Sequence, residues 1–268
     1  MPTPLIVCGA AGRMGKTLLG LIAQNDATTL VGALEAAGHP DLGRDAGEVA
    51  GTRRLGVALT DDLTSMATAH AVALDFTNAA AALEHLRLAV QHRTAMVIGS
   101  TGFTAEQQGE LYQLAPQTRC VVAPNMSVGI AVLQRLVREA AVALGDDFDP
   151  EIVEIHHRMK VDAPSGTALA LGRTVAEATG RSFATDAVYG RDGTPGQRQH
   201  KEIGVLALRG GDVVGDHTVI FAGLGERLEL THRAQSRDCL ARGALRAALW
   251  LAQQPIGHYS MSDVLGWR

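Results

Sequence analysis

A short apolar strand that runs straight into a glycine-spaced turn and then a helix constrains this chain more than any other feature. Leu5-Ile-Val-Cys8 has the unbroken apolar character of a parallel strand buried on both faces. Gly9-Ala-Ala-Gly12-Arg-Met-Gly15 follows at once, and Lys16 to Ala23 reads as a helix. Glycines at this spacing permit a tight turn and let backbone N–H groups approach a pyrophosphate at the helix N-terminus. Alone the motif is weak, because Gly and Ala are common here; the strand before it and the helix after it give it weight. A second strand, Thr29 to Leu34, ends at Glu35, 20 residues past Gly15. A carboxylate for the ribose hydroxyls is expected at that place. Residue 36 is alanine, where a basic side chain would meet the 2′-phosphate of NADPH. That favours NADH, although Arg13, Lys16, His39 and Arg44 are near enough in sequence to substitute, so NADPH stays open.

Strand and helix then alternate. The glycine-rich run from Gly38 to Leu59 reads as loop with one short helix. Ala71 to Phe76 is a strand, with Thr77 capping a helix from Ala79 to Gln91. Thr94 to Ile98 is a strand that ends in the small-residue loop Gly99-Ser100-Thr101-Gly102, and Thr104 caps the next helix with Glu106 and Gln107 in its first turns. Arg119 to Val122 is a further strand, ending at Ala123-Pro124-Asn125-Met126. Such alternation predicts an α/β domain with a doubly wound parallel sheet of Rossmann type. Ligands of these sheets bind beyond the carboxyl ends of the strands. Gly9, Ala10, Ala11, Gly12, Arg13 and Met14 all fall there, as do Glu35, Gly99 to Thr101 and Ala123 to Met126.

The pattern changes after residue 126. Val128 to Leu144 is a long amphipathic helix with Val132, Leu136, Val137 and Ala140 on one face. Glu151 to His157 is a strand, and the chain then runs Arg-Met-Lys160-Val-Asp-Ala-Pro-Ser165 into an Ala/Leu-rich helix that ends near Gly180. Ser165 sits where an N-cap belongs, with Gly166 and Thr167 opening the helix. The free N–H groups of such a start favour an anion. On a strand, neighbouring side chains face opposite ways, so His156 and His157 diverge unless the strand ends between them. The segment offers an imidazole that titrates near neutral pH, a cation and a carboxylate cradle within one turn. Arg181 to Lys201 reads as an extended loop. Ile203 to Leu208, Val213 to Phe221 and Glu226 to Ala234 read as strands of a mixed or antiparallel sheet covered by two helices. Its uncovered face predicts a homo-oligomer built through this sheet. Ser236 caps a last helix, Arg237 to Ala252, expected to pack back on the first domain. The organisation is thus 1–126 with 237–268 as a dinucleotide-binding domain, and 127–236 as an α+β domain for substrate binding and oligomerisation.

Composition excludes other classes. A net charge of −4 argues against a nucleic-acid binder, and no apolar run reaches the ~20 residues of a membrane span. Cys8, Cys120 and Cys239 are too scattered for a disulfide framework or a zinc site, as expected of a cytoplasmic protein. A semialdehyde dehydrogenase would need an exposed thiolate. Cys8 and Cys120 fall in strands predicted to be buried, and Cys239 falls in the last helix. A cofactor-sensing protein without catalysis would not need the His156 and Lys160 cluster. A metal site on His156, His157 and Asp162 lacks usual ligand spacing.

His-His-Arg-Met-Lys-Val-Asp-Ala-Pro-Ser-Gly-Thr-Ala, residues 156–168, resembles the signature of the 4-hydroxy-tetrahydrodipicolinate reductase (dihydrodipicolinate reductase) family of bacterial lysine biosynthesis. Asp75-Phe-Thr77, Gly99-Ser-Thr-Gly-Phe103, Asn125-Met-Ser-Val-Gly129, Gly215-Asp-His-Thr218 and Gly225-Glu-Arg-Leu-Glu229 fall in family order, so the resemblance covers nearly the whole chain. It implies hydride transfer from NADH or NADPH to a cyclic imine dicarboxylate with loss of water. It implies His156 as proton donor and Lys160 as a second cation, either proton donor or carboxylate anchor. It implies His157, Ser165, Gly166 and Thr167 as substrate-binding residues, and a tetramer. Relatives that use NADPH often carry arginine at the place of Ala36 and a basic residue at the place of Asn78.

Overall fold

The structure is a computed structural model that describes residues 1–267. Two compact units emerge: residues 1–127 with 238–267, and residues 128–237. The first begins with β1 (Thr3–Cys8), α1 (Arg13–Ile22), β2 (Thr28–Leu34), α2 (Ala46–Val49), β3 (Leu59–Thr60), β4 (Val72–Asp75), α3 (Ala79–His92), β5 (Ala95–Ile98), α4 (Ala105–Leu114) and β6 (Arg119–Val122). The second holds α5 (Val128–Leu144), β7 (Asp149–His156), α6 (Gly166–Thr179), α7 (Phe183–Asp186), β8 (Ala187–Val188), β9 (Ile203–Arg209), β10 (Gly215–Ala222) and β11 (Arg227–Ala234). The chain then returns to the first unit with α8 (Asp238–Leu251), β12 (Gly257–Tyr259) and α9 (Met261–Val264).

In the first unit seven parallel strands lie in the order β12-β6-β5-β4-β1-β2-β3, a doubly wound sheet. Leu5, Ile6 and Val7 are fully buried, which is why β1 reads as one apolar run. Helices α3 and α4 contribute Leu83, Leu86 and Leu111 to a core against Ile6, Met96 and Ile98. Small residues bring α8 close: a Cβ on Gly243 would lie 1.7 Å from the Met126 carbonyl oxygen. The edge strand β12 and helix α9 carry too little periodicity to be read in advance. Asn78, not Thr77, is the N-cap of α3, its side chain accepting from the N–H groups of Ala80 and Ala81. The Thr77 hydroxyl instead donates to Asp75. Thr104 does cap α4, in a full capping box with Gln107.

In the second unit a mixed sheet has the order β11-β10-β7-β9-β8, with β7 antiparallel to β10 and parallel to β9. Ile152, Val205, Val219 and Phe221 face α5 and α6 in a core with Val137, Leu171 and Val175. The buried side of α5 is Ile130, Leu133, Val137 and Ala141 rather than the expected face: Val132 and Leu136 are exposed. The two apolar stripes lie within about 100° of each other, and pattern alone does not say which one meets a sheet. Residues 181–201 are not wholly loop, since α7 and β8 fall there. Arg191 and Arg198 pin this segment to β7 by pairing with Glu151. No helix among the described residues is long and apolar enough to cross a membrane.

Candidate functional site

The glycine loop after β1 is shaped by two close approaches. Gly9 has φ +73°, in the left-handed region, and a Cβ on Gly15 would lie 2.1 Å from the Gly9 carbonyl oxygen. The loop therefore folds back tightly, and Gly12 becomes the N-cap of α1 with no side chain over the helix start. Ala10 is buried; Gly12 and Arg13 are exposed and Met14 half-buried at the open end. Glu35 follows β2, and its carboxylate accepts from the N–H groups of Ala11 (2.8 Å) and Ala36 (2.9 Å). Predicted ribose ligand and glycine loop are thus tied together. Gly99 follows β5, where a Cβ would run into the Phe76 ring at 2.1 Å. Ser100 Oγ donates to the buried Asp75 carboxylate, which also accepts from Thr77 and from His85 Nδ1. Thr101 and Pro124 are exposed, Ala123 and Met126 buried, and Asn125 Oδ1 accepts from the Ser127 N–H. All four segments lie at the carboxyl ends of β6, β5, β1 and β2, with β4 between β5 and β1, where a dinucleotide fits such a sheet. Asp75, which the sequence shows only as the end of a buried strand and the start of the Asp75-Phe-Thr77 motif, joins Ser100, Thr77 and His85 in one hydrogen-bonded group.

In the second unit β7 ends at His156, so the two histidines separate. His156 is buried and His157 half-exposed, with Arg237 Nη2 3.4 Å from His157 Nε2. The ring of His156 is held by Glu154, whose Oε2 accepts from Nδ1–H at 2.6 Å. Glu154 is completely buried and also accepts from both terminal nitrogens of Arg209 and from the Ser165 N–H. Burial alone would push its carboxyl up; the hydrogen bonds from Arg209, His156 and Ser165 outweigh burial and hold it below the ordinary range. Ser165 is the N-cap of α6, its Oγ accepting from the Ala168 N–H and sharing a hydrogen bond with His217 Nε2 (3.1 Å). Gly166 and Thr167 open the helix as expected, placing its N–H groups beside this network. Lys160 is turned to Asp162, with Nζ donating to both carboxylate oxygens at 2.8 and 2.9 Å. Asp162, weighed in the sequence only as a metal ligand, is the partner of Lys160; His217 stands in the sequence only within the Gly215–Thr218 motif, and Glu154 carries no reading there. Glu154 is two residues before His156 on a strand and so shares its face; Arg209 lies 53 residues away and leaves no local signal.

His217 packs edge-on to His156, centroids 5.2 Å apart. Burial, and then the neighbouring His156, push its imidazole down to about 4. Its imidazole is therefore neutral in the folded protein at neutral pH. An unfolded chain protonates this side chain near its ordinary 6.5, so the unfolded state binds the extra proton between those values. Stability therefore falls as pH drops from 6.5 toward 4. Thermal unfolding across that window is expected to depend less steeply on pH in His217→Gln than in the wild type.

A doubly wound parallel sheet with a glycine loop and a following carboxylate, joined in one chain to a mixed-sheet unit with a buried His–Glu pair beside a helix start, defines a Rossmann-type NAD(P)H-dependent oxidoreductase. Family profiles described as dihydrodipicolinate reductase, N-terminus and C-terminus, match residues 3–126 and 129–265. The chain belongs to the dihydrodipicolinate reductase family. It is 51% identical over 260 residues to the 4-hydroxy-tetrahydrodipicolinate reductase of Syntrophobacter fumaroxidans, covering 97% of each chain. It is 49% identical over 262 residues to that of Pelobacter propionicus, covering 98% of each. Among solved structures, a dipicolinate-bound dihydrodipicolinate reductase from Paenisporosarcina sp. TG-14 shares the fold, with a TM-score of 0.76 at 24% identity over 98% of this chain and 99% of that one.

Proposed function

We propose that this chain is a 4-hydroxy-tetrahydrodipicolinate reductase of diaminopimelate and lysine biosynthesis. It reduces the cyclic hydroxy-imine dicarboxylate with loss of water and gives tetrahydrodipicolinate. The observation that carries this is full-length identity near 50% to relatives of that name, with the buried His156–Glu154 pair beside the α6 start. The test is NADH oxidation against freshly prepared hydroxy-tetrahydrodipicolinate; no oxidation above the substrate-free rate would overturn the assignment.

Reduced nicotinamide supplies the hydride when bound. Its dinucleotide is held by the first unit: Gly9 to Met14 at the pyrophosphate, Glu35 at the adenine ribose, and Gly99 to Thr101 and Ala123 to Met126 along the remaining strand ends. The substrate is held by the second unit. The N–H groups of Gly166 and Thr167 receive one carboxylate, and Lys160 with His157 offsets the other charge. Hydride addition to a conjugated imine leaves an electron-rich carbon, and His156 Nε2–H delivers the proton to it. The protein works in the cytoplasm.

NADH is the preferred cofactor and NADPH a slower one. The support is Ala36 at the ribose end of β2 and Asn78, whose side chain is engaged as the cap of α3 and brings no positive charge. A charge-assisted contact to the 2′-phosphate is worth about 1.5–3 kcal/mol, so kcat/KM for NADH is expected to exceed that for NADPH by about 10–100-fold. Turnover with each cofactor at limiting concentration checks this, and Ala36→Arg is expected to narrow the ratio. A strong NADPH preference in the wild type would overturn it.

The working form is a homo-oligomer, a tetramer by family likeness, built through the sheet of the second unit. Val153, Ile155, Leu206, Leu208 and Ile220 lie on the face opposite α5 and α6, and Leu208 is 51% exposed.

A further inference from the structure

His156 is held on three sides by groups to which no role has been given. The two-residue period of β7 puts Glu154 beside it on one face, and antiparallel pairing brings β10 alongside. All four hydrogen bonds of the Glu154 carboxylate are directed. Oε2 accepts from His156 Nδ1–H (2.6 Å) and Arg209 Nη1 (2.8 Å), and Oε1 from the Ser165 N–H (3.0 Å) and Arg209 Nη2 (2.9 Å). On the other side of the ring, a Cβ on Gly215 would come 2.8 Å from His156 Nε2, so the missing side chain is the space that this nitrogen occupies. His217 closes the third side edge-on.

We propose that Glu154 is a positioning residue for the reaction: its carboxylate fixes His156 with Nδ1–H turned inward, so that Nε2 is the nitrogen that gives the proton, and binds that imidazole and the anion-holding turn at Ser165 to one rigid group. This rests on the reading of His156 as proton donor. In the step concerned, the Nε2–H bond of the imidazolium breaks as a C–H bond forms on the electron-rich carbon left by hydride addition. The imidazole is left neutral with Nδ1–H still on Glu154, and Glu154 remains a carboxylate throughout. Water then returns a proton to Nε2. A carboxylate that is already saturated by Arg209 and Ser165 has no reason to take the proton itself, so its role is orientation and charge balance. The same bonds explain why a buried acid persists in an otherwise apolar sheet core: one partner of each bond is needed elsewhere in the site.

The charged and titratable groups around His156 are Glu154 on its own strand, Arg209 on β9, His217 on β10, and Lys160 and Asp162 in the following turn. Of these, only Glu154 bonds the His156 ring directly. Glu154→Gln keeps the shape and removes the charge. Turnover is expected to fall about 10–100-fold, the range for loss of a group that orients a reacting ligand, with KM for NADH unchanged. An imidazolium that loses an adjacent carboxylate gives up its proton more readily, so the alkaline limb of the kcat/KM profile is expected to move about 1 pH unit lower. Glu154→Asp, which restores the charge at shorter reach, is expected to return the limb toward its wild-type place and to recover part of kcat. In a His156→Gln background, adding Glu154→Gln is expected to cost less than about 2-fold, because nothing is left to position.

Wild-type kcat with an unmoved limb in Glu154→Gln overturns the proposal. So does a loss of the same size in the His156→Gln background, which would make Glu154 merely structural. If Glu154→Gln does not fold, Glu154→Asp carries the test: an intermediate loss of kcat with an intermediate shift of the limb supports the proposal, and no change in either overturns it. Full activity of His156→Gln alone would instead remove the proton-donor reading, a result separate from any measured at residue 154.

Discussion

His156→Gln is expected to lower turnover by about 10²–10⁴-fold, the usual worth of a positioned proton donor, while NADH still binds with wild-type affinity. Glutamine fills the space and can donate a hydrogen bond, but it cannot carry a proton that leaves at neutral pH. The buried environment argues against a solvent substitute: His156 is 9% exposed, and its inner face is taken by Glu154, Gly215 and His217. Cofactor affinity is expected to survive because the glycine loop and Glu35 belong to the other compact unit and depend on bonds among themselves. The check is kcat from NADH oxidation together with NADH affinity from fluorescence titration. A variant that keeps more than about a tenth of wild-type kcat would show that water or another side chain protonates the product. Loss of NADH affinity in step with kcat would mean that the substitution had disturbed the fold and said nothing of the proton.

The sheet of the first unit was legible because its signals are local. A strand buried on both faces must be apolar throughout, and a loop that bends back on itself at Gly9 and Gly15 admits nothing larger than glycine. Ser165 was legible for the same reason, since a cap and its helix are contiguous. What stayed hidden depends on pairs that sequence distance separates. Arg209 reaches Glu154 only because β9 lies parallel to β7, and His217 meets Ser165 because β10 runs antiparallel on the other side. The buried face of α5 was missed because that helix offers two apolar stripes, and only the position of the sheet chooses between them. Threonine and asparagine both suit a cap before α3; the buried Asp75 claims the Thr77 hydroxyl and leaves the cap to Asn78.

Lys160→Ala is expected to lower kcat/KM for the dicarboxylate by about 100-fold, with most of the loss in KM and less than about 10-fold in kcat. The magnitude follows from one charge-assisted hydrogen bond, worth about 1.5–3 kcal/mol, against about 2.7 kcal/mol for a factor of 100. The division between the two constants follows from Asp162. Both of its carboxylate oxygens accept from Lys160 Nζ, and that bond, ahead of all other influences on Asp162, lowers its carboxyl below the ordinary range. Donating to both oxygens of a carboxylate, Lys160 is placed to hold an anion as a fixed positive charge. A substrate carboxylate can take the place of Asp162 on the ammonium without any proton moving. Binding would not vanish in the variant, since the N–H groups at Gly166 and Thr167 remain for the other carboxylate. Steady-state kinetics at varied substrate separates the cases: a large fall in kcat with KM unmoved would assign the proton to Lys160 and leave His156 to orient the ring.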